Sequence, residues 1–561
     1  MPNESLYKLL VIALLALPVV AAAVVMTLGR TSVSRARMSS LLLALVHLGL
    51  TLSLVFPVMP VLAERTLTAN TVFDPILVTK ATLLPIATQA NATGVQFFIG
   101  IDGLNLWLVA LSSVMMIPVI LVSWHGIQDR AASFYAWLFL LQSATIGLFL
   151  AFDLVLFYAF FELTLIPMFF LIGQWGIGAA RRDAARKFFL YTLAGSLITL
   201  VGLVGTVLTL GGLAGGKLTF AIPELVQQVQ TVTTSSEANK TAWANAQVWL
   251  FIALLMGFAV KIPIVPLHSW LPSAYSESPA GVTVFLSALL AKMGTFGLLR
   301  VVMPLTPDAT LSFGLPVVGS LAAFAILYGA LVAYAQTDMK KMIAYSSISH
   351  LAFCVLALMA FNTEGMSGGL LHMVNHGIST GALFVLVGLM VDRYSTHSMA
   401  SYSGLMTKLP IFSLFMMILT LASIGLPGLC NFVSEMLMLG SLFDMRNPSV
   451  KGFAFAGIAG FGIFLSAWYM LTMIQRVFFG PVREPIRVNL PPAKDLNSRE
   501  IWAVAPLVVL CVLLGCKPQP FLQVMKPEIT ALSQVANAAR DRVPTTSPGQ
   551  TPTGSATASV R

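Results

Sequence analysis

Charge is what this chain lacks most: its 561 residues include 22 Asp and Glu and 32 Lys and Arg, 10% of the whole. Soluble domains carry about a quarter charged residues, so an ordinary water-facing surface cannot be built from this sequence. Cysteine is scarce too. Cys354, Cys430, Cys511 and Cys516 all lie in apolar stretches, with no CxxC pair and no Cys/His ligand spacing. That argues against a disulfide or thiolate-metal framework, and the four read as small buried hydrophobes. The glycine-rich LGGLAGGK near residue 210 lacks P-loop spacing and follows no strand signal, which argues against nucleotide binding there. No flavin, haem or iron–sulfur signature occurs, so the expectation is a chain without cofactor, metal or electron carrier of its own.

What is present is hydrophobic length. Hydrophobic residues make up 57% of the chain and mean hydropathy is +0.87, which fixes an all-α polytopic membrane protein. At roughly 20 apolar residues per crossing, the sequence predicts about fourteen spans. They fall near 6–27, 40–63, 104–124, 133–151, 153–173, 188–213, 247–268, 280–303, 311–335, 340–361, 367–391, 409–443, 452–478 and 501–517. The first follows an almost uncharged N-terminus without a clear cleavage site and reads as a retained span.

A formal charge of +10 invites a polyanion-binding reading, but the placement of the charges opposes it. Odd-numbered connections carry most basic residues: Arg30, Arg35 and Arg37; Arg181, Arg182, Arg186 and Lys187; Lys340 and Lys341; Arg476, Arg483, Arg487, Lys494 and Arg499. The even-numbered ones are nearly free of them. This is the positive-inside pattern. It predicts a multi-pass protein of the bacterial inner membrane with both termini periplasmic, and partners that include lipid but no nucleic acid.

Two spans carry breakers within apolar sequence: the seventh, VKIPIVPLHSWLP, and the twelfth, IGLPGLCNFVSE. Proline removes a backbone donor, and lipid tolerates broken backbone only where protein or water covers it. Both helices should therefore line an internal polar space. The broken helix is the fourth member of spans four to eight and again of spans nine to thirteen. Five is odd, so two such units run in opposite directions, the inverted repeat of many transporters. The expected organisation is N-terminal helices over 1–132, the first repeat over 133–303 and the second over 304–478. A basic loop and last span follow over 479–520. The periplasmic C-terminal segment, 521–561, should be disordered from about 540. Pro527 should confine any interfacial helix there to its second half. The connection at 66–98 reads as a low-complexity addition.

The chemistry lies in charges that apolar segments should not contain. Glu162 (YAFFELTLIPMFF), Lys261 (MGFAVKIPIVP), Lys292 (SALLAKMGTFG) and Glu435 (CNFVSEMLMLG) each interrupt a hydrophobic run. A buried ammonium loses proton affinity through desolvation and regains it as a carboxylate approaches, so moving one partner switches the other. The alternative for Glu162 and Lys261 is a static salt bridge; for Lys292, a structural pin; for Glu435, a half-helix cap. Histidine supplies intermediate steps: His350, and His372 with His376 one helical turn apart. The HxxxH spacing also suits a metal, but it has no adjacent carboxylate or thiol, and the expectation is no metal site. His268 reads equally well as packing.

The segments YAFFELTLIPMFFLIGQWG, FAVKIPIVPLHSWLPSAYSESPAGVTVFLSALLAKMGTFGLLR, AYAQTDMKKMIAYSSISHLAF and GLPGLCNFVSEML resemble the antiporter-like membrane subunits of respiratory NADH:quinone oxidoreductase (complex I). The likeness runs from about residue 100 to 520 and is best for the M-type members. Glutamate at 435 carries that distinction, because the sister subunits and the D-type subunit of multisubunit sodium/proton antiporters usually have lysine there. The resemblance implies a proton relay. Glu162 and Lys261 would form a control pair and Lys292 with His350 the central connection, with His376 on a hydrated axis and Glu435 at the terminal site. It also implies FMN, iron–sulfur clusters and quinone in partner subunits, and two sister antiporter-like subunits as neighbours. The alternatives are a sodium/proton antiporter subunit, a membrane-bound hydrogenase module, or a structural spacer with frozen charges.

Overall fold

The computed structural model describes residues 4–88, 91–445, 451–485 and 493–542. The tail expected to be disordered falls almost wholly in 543–561, which with Arg487 lies outside the described residues. Thirteen helices among the described residues are long and apolar enough to cross a membrane. In chain order these spans are Glu4–Leu28, Val33–Ala63, Leu106–Gly126, Ala131–Leu150, Leu154–Trp175, Arg181–Leu213 and Glu237–Lys261, then Ala280–Leu305, Pro307–Tyr334, Met339–Met359 and Thr363–Tyr394. Gly452–Phe478 and Ser498–Cys516 are the thirteenth and fourteenth, because the shorter helices Pro410–Ser423 and Cys430–Phe443 together form an interrupted twelfth. The seventh is interrupted too, ending at Lys261 and resuming as Trp270–Glu277.

Burial sorts these helices into layers. The most apolar stretch of the eighth span is wholly buried, and the tenth and eleventh nearly so, whereas the first, second and fourteenth bury only a third of theirs. A helix enclosed by protein on every side need not be apolar all round, and these three central spans carry Lys292, Arg300, Lys340, His350, His372 and His376, each at most 5% exposed. Close approach at the centre depends on glycine. A β-carbon on Gly297 would stand 2.3 Å from the Phe258 ring of the seventh span, and one on Gly294 2.6 Å from Ile262.

Three local expectations need correction. The connection at 66–98 is mostly not low-complexity coil: Ile76–Thr88 pairs antiparallel with Asn91–Ile101, from Ile76 opposite Ile101 to Thr88 opposite Asn91. Its inner end is buried through Leu77, Phe98, Ile99 and Ile101, a pattern hidden in sequence because only that end faces protein. Asp153 ties the hairpin to the fifth span, accepting hydrogen bonds from the backbone N–H of Gln96, Val155 and Leu156. Cys516 is exposed, unlike the other three cysteines, because it ends the fourteenth span. Pro527 does not confine the last helix, which runs unbroken over Gln519–Arg542. Its face of Val524, Met525, Ile529, Leu532 and Val535 is buried, and that packing outweighs the lost backbone hydrogen bond.

On that face Glu528 is fully buried. Its Oε1 accepts the Gly103 N–H at 3.0 Å, while Oε2 has no hydrogen-bond partner among the described residues. Burial, and then the charge of Asp102, push its carboxyl up to about 8 from an ordinary 4.5, with Arg65 pulling the other way. The docked helix therefore keeps a proton that the undocked helix loses between those values. Docking weakens as pH rises across that window, by up to about 1.4 kcal/mol per unit. Glu528→Gln should abolish the dependence. Hydrogen exchange of Gln519–Arg542, corrected for intrinsic rates, should lose protection from pH 5 to 8 in the parent protein and stay level in the variant; equal slopes would refute the argument.

Candidate functional site

Lys261 is the last residue of its helix, where unpaired backbone carbonyls favour a cation. Its ammonium donates to Thr164 Oγ1 at 2.8 Å and to the Phe161 carbonyl at 3.5 Å, and lies 4.3 Å from the centre of the Phe161 ring. Thr164 is available because the fifth span is jointed there, between Leu154–Leu163 and Leu165–Trp175, three residues before Pro167. Glu162 is half-buried and bonds to Ser196 of the sixth span. It makes no ion pair with Lys261 within 4.0 Å. The expected pair is thus arranged as two neighbouring charges, each held by a hydroxyl group, separated but close enough to act on one another.

Lys292 occupies the α-helical piece Ala291–Gly297 of the eighth span, flanked by π-helical stretches at Leu286–Leu290 and Leu298–Val302. Such widened turns occur frequently at functional sites. Its ammonium donates to the Ser287 carbonyl and meets His376 Nδ1 at 2.8 Å. The direct partner of Lys292 is therefore His376, with His350 one step further on.

His350, His372 and His376 form a triangle with ring centroids 5.5 to 5.8 Å apart. His350 faces Glu435 Oε1 at 3.5 Å through Nδ1 and Ser466 Oγ at 3.3 Å through Nε2, and Ser466 continues to Tyr469 Oη at 3.1 Å. His372 Nδ1 lies 3.0 Å from Ser434 Oγ. Glu435 is 2% exposed on Cys430–Phe443, past the break of the twelfth span. That break places Gly425 at φ +73°, where a β-carbon would stand 2.3 Å from Glu435 Oε2. Glycine here supplies both the left-handed turn and the space for the carboxylate.

The structure thus joins Lys292, His376, His350 and Glu435 in one buried row, with Lys261 and Glu162 beyond the other face of the eighth span. In sequence His372 could be named only as an intermediate step one turn from His376, without a place in the final relay, and Thr164, Ser196, Ser434 and Ser466 gave no signal as partners. His268 sits apart, 3.2 Å from Tyr328 Oη. One His/Glu group among the described residues could hold a metal: His350, His372 and Glu435, whose ligand atoms lie within 4.8 Å of one another. Tetrahedral ligands at zinc distances stand only about 3.4 Å apart, so the set as spaced suits hydrogen-bonded transfer better.

Residues 151–466 match the family described as "NADH:quinone oxidoreductase/Mrp antiporter, TM" (Proton_antipo_M), more than half of the chain. The chain is 36% identical to NADH-ubiquinone oxidoreductase chain 4 of Marchantia polymorpha, over 79% of this chain and 83% of that protein. It is likewise 36% identical to NADH-quinone oxidoreductase subunit M of Rhodobacter capsulatus, over 80% and 84%. A chain of respiratory complex I from Thermus thermophilus superposes with TM-score 0.77 at 30% identity, covering 94% of this chain and 99% of its own. A chain of the Mrp complex from Dietzia sp. DQ12-45-1b shares the fold, at TM-score 0.75 and 19% identity, with 97% and 100% covered. This chain therefore belongs to the NADH:quinone oxidoreductase/Mrp antiporter family of membrane proteins.

Proposed function

We propose that this chain is the proton-translocating, antiporter-like membrane subunit of an NADH:quinone oxidoreductase, with NADH oxidation and quinone reduction carried out by other subunits. The observation that carries the reading is the buried row Lys292, His376, His350 and Glu435, in which each group can give or accept a proton. FMN, iron–sulfur clusters and quinone belong to the partners, and a sister antiporter-like subunit lies on either side in the membrane. The two inverted five-helix units, 133–303 and 304–478, carry the two broken helices. Basic connections face the cytoplasm of a bacterial cell and both termini the periplasm.

Protons move along the row without redox chemistry in this chain. A protonated Lys292 donates to His376 Nδ1, which leaves the ring's own proton on Nε2. Ring separations above 5 Å are then crossed through a water or by ring rotation. His350 delivers to Glu435. The drive enters from outside, at Glu162 and Lys261: bringing the glutamate closer strengthens the hold of Lys261 on its proton, and drawing it away releases it. Each proton moved against 100 mV costs about 2.3 kcal/mol, a load that burial and one charge partner can supply.

In the intact assembly, Lys261→Ala should lower proton uptake per NADH roughly tenfold or more and Glu162→Gln several-fold, measured in sealed vesicles beside quinone reduction. Unchanged pumping in both would sink the role of this pair. The sodium/proton exchanger reading is separated by purification: NADH:quinone activity with flavin and iron–sulfur absorbance should accompany a tagged chain. Copurification of hydrophobic antiporter subunits alone would favour the exchanger.

A further inference from the structure

A cavity of about 570 Å³ lies at one end of the eleventh span. It is lined by His125, Glu277, Asp338, Lys341, Asp392 and His397, all at the ends of spans or in connections on the face that carries the basic loops. A second space of about 70 Å³ shares its Gly126, Ile177, Val391 and Asp392 walls and continues inward to Lys340, Ser123, Ala280 and Gly388. Asp392 is exposed in the outer cavity and lines both, whereas Lys340, 1% exposed, donates to the Ser278 carbonyl at 2.7 Å. Lys340, Arg393, Arg499 and Glu500 act on Asp392 through their charges. Arg393 is itself paired with Glu500 at 2.6 Å, which leaves Asp392 as a carboxylate of the mouth without an ion pair among the described residues.

The eleventh span connects this mouth to the row. Residues 372, 376, 380, 384, 388 and 392 repeat every fourth position and form one ridge that winds about 40° around the helix at each step: His372, His376, Thr380, Phe384, Gly388 and Asp392. The rise from Asp392 to His376 is about 24 Å. Thr380 Oγ1 is buried on that ridge without a hydrogen-bond partner among the described residues, and so is Tyr275 Oη, whose ring meets Phe384 edge-on at 5.4 Å. Buried hydroxyls are rarely left unpaired. Two of them between a wet carboxylate and His376 are placed to carry protons.

We propose that this cavity is the proton-loading mouth of the chain, with Asp392 taking a proton from water and passing it along the eleventh span, by Tyr275 and Thr380, to His376. Only a proton moves: Asp392 gains one from bulk water and returns to carboxylate on giving it inward. The inference rests on the proton-translocating reading.

The test uses the intact assembly in sealed vesicles. Asp392→Asn should lower proton uptake per NADH at least fivefold and flatten its pH profile, with Asp392→Glu restoring most of both. Lys292→Met is the control. Normal pumping in Asp392→Asn with none in the control overturns the mouth and leaves the function standing, whereas normal pumping in both overturns the function itself. If Asp392→Asn fails to assemble, Ser395→Cys in a Cys516→Ser background decides. A bulky impermeant maleimide should label the mouth from the NADH-oxidising side and cut pumping; full labelling with pumping unchanged overturns the proposal.

Discussion

Replacing Lys292 by methionine should stop proton transfer through this chain, and replacing it by arginine should stop it equally. The two substitutions separate a relay from a pin. Lys292 is fully buried, holds the Ser287 carbonyl and touches His376 at 2.8 Å. If it only anchored the eighth span, arginine would serve, since it keeps the charge and the donors. Arginine does not give up its proton in proteins, so a relay through it fails. Proton uptake per NADH should fall at least tenfold in both variants, with the assembly intact by native electrophoresis. Pumping retained by Lys292→Arg would reduce Lys292 to a structural cation.

The largest loss of stability should come from Arg300→Ala. Arg300 and Asp102 form a bidentate pair with both side chains fully buried, one bond at 2.9 Å and the other shorter. The guanidinium also lies 4.5 to 5.1 Å from the Phe73, Phe152 and Phe296 rings. Asp102 further accepts the backbone N–H of Leu104 and Asn105 at the entry to the third span. Removing the arginine leaves that carboxylate buried without its cation, a cost of about 3–5 kcal/mol. The double variant Asp102→Asn, Arg300→Gln should recover roughly half, because no unpaired charge remains. A thermal unfolding series on the purified assembly checks both; equal midpoints for parent and Arg300→Ala would sink the claim.

Arg300 also shows where sequence reading stops. It interrupts an apolar run as plainly as Lys292 does, and Asp102 opens the third span, but nothing local joins residues 198 positions apart. The four interrupting charges, the histidines and the two broken helices could be read because each violates the apolar rule of its own segment. Which of them touch could not. His376 rather than His350 meets Lys292, and Thr164 rather than Glu162 holds Lys261, because rotation and depth of neighbouring helices are set by packing, such as Gly297 against Phe258. The continuous helix through Pro527 follows the same rule.

By itself, then, the sequence determined a bundle of about fourteen apolar helices with basic connections on one face and ionisable groups inside it, because the cost of charge in lipid acts residue by residue. Only the tertiary structure decided that the eighth, tenth and eleventh spans lie at the centre and that their side chains make one row. Contacts between helices depend on relative rotation and depth, which close packing fixes and hydropathy does not record.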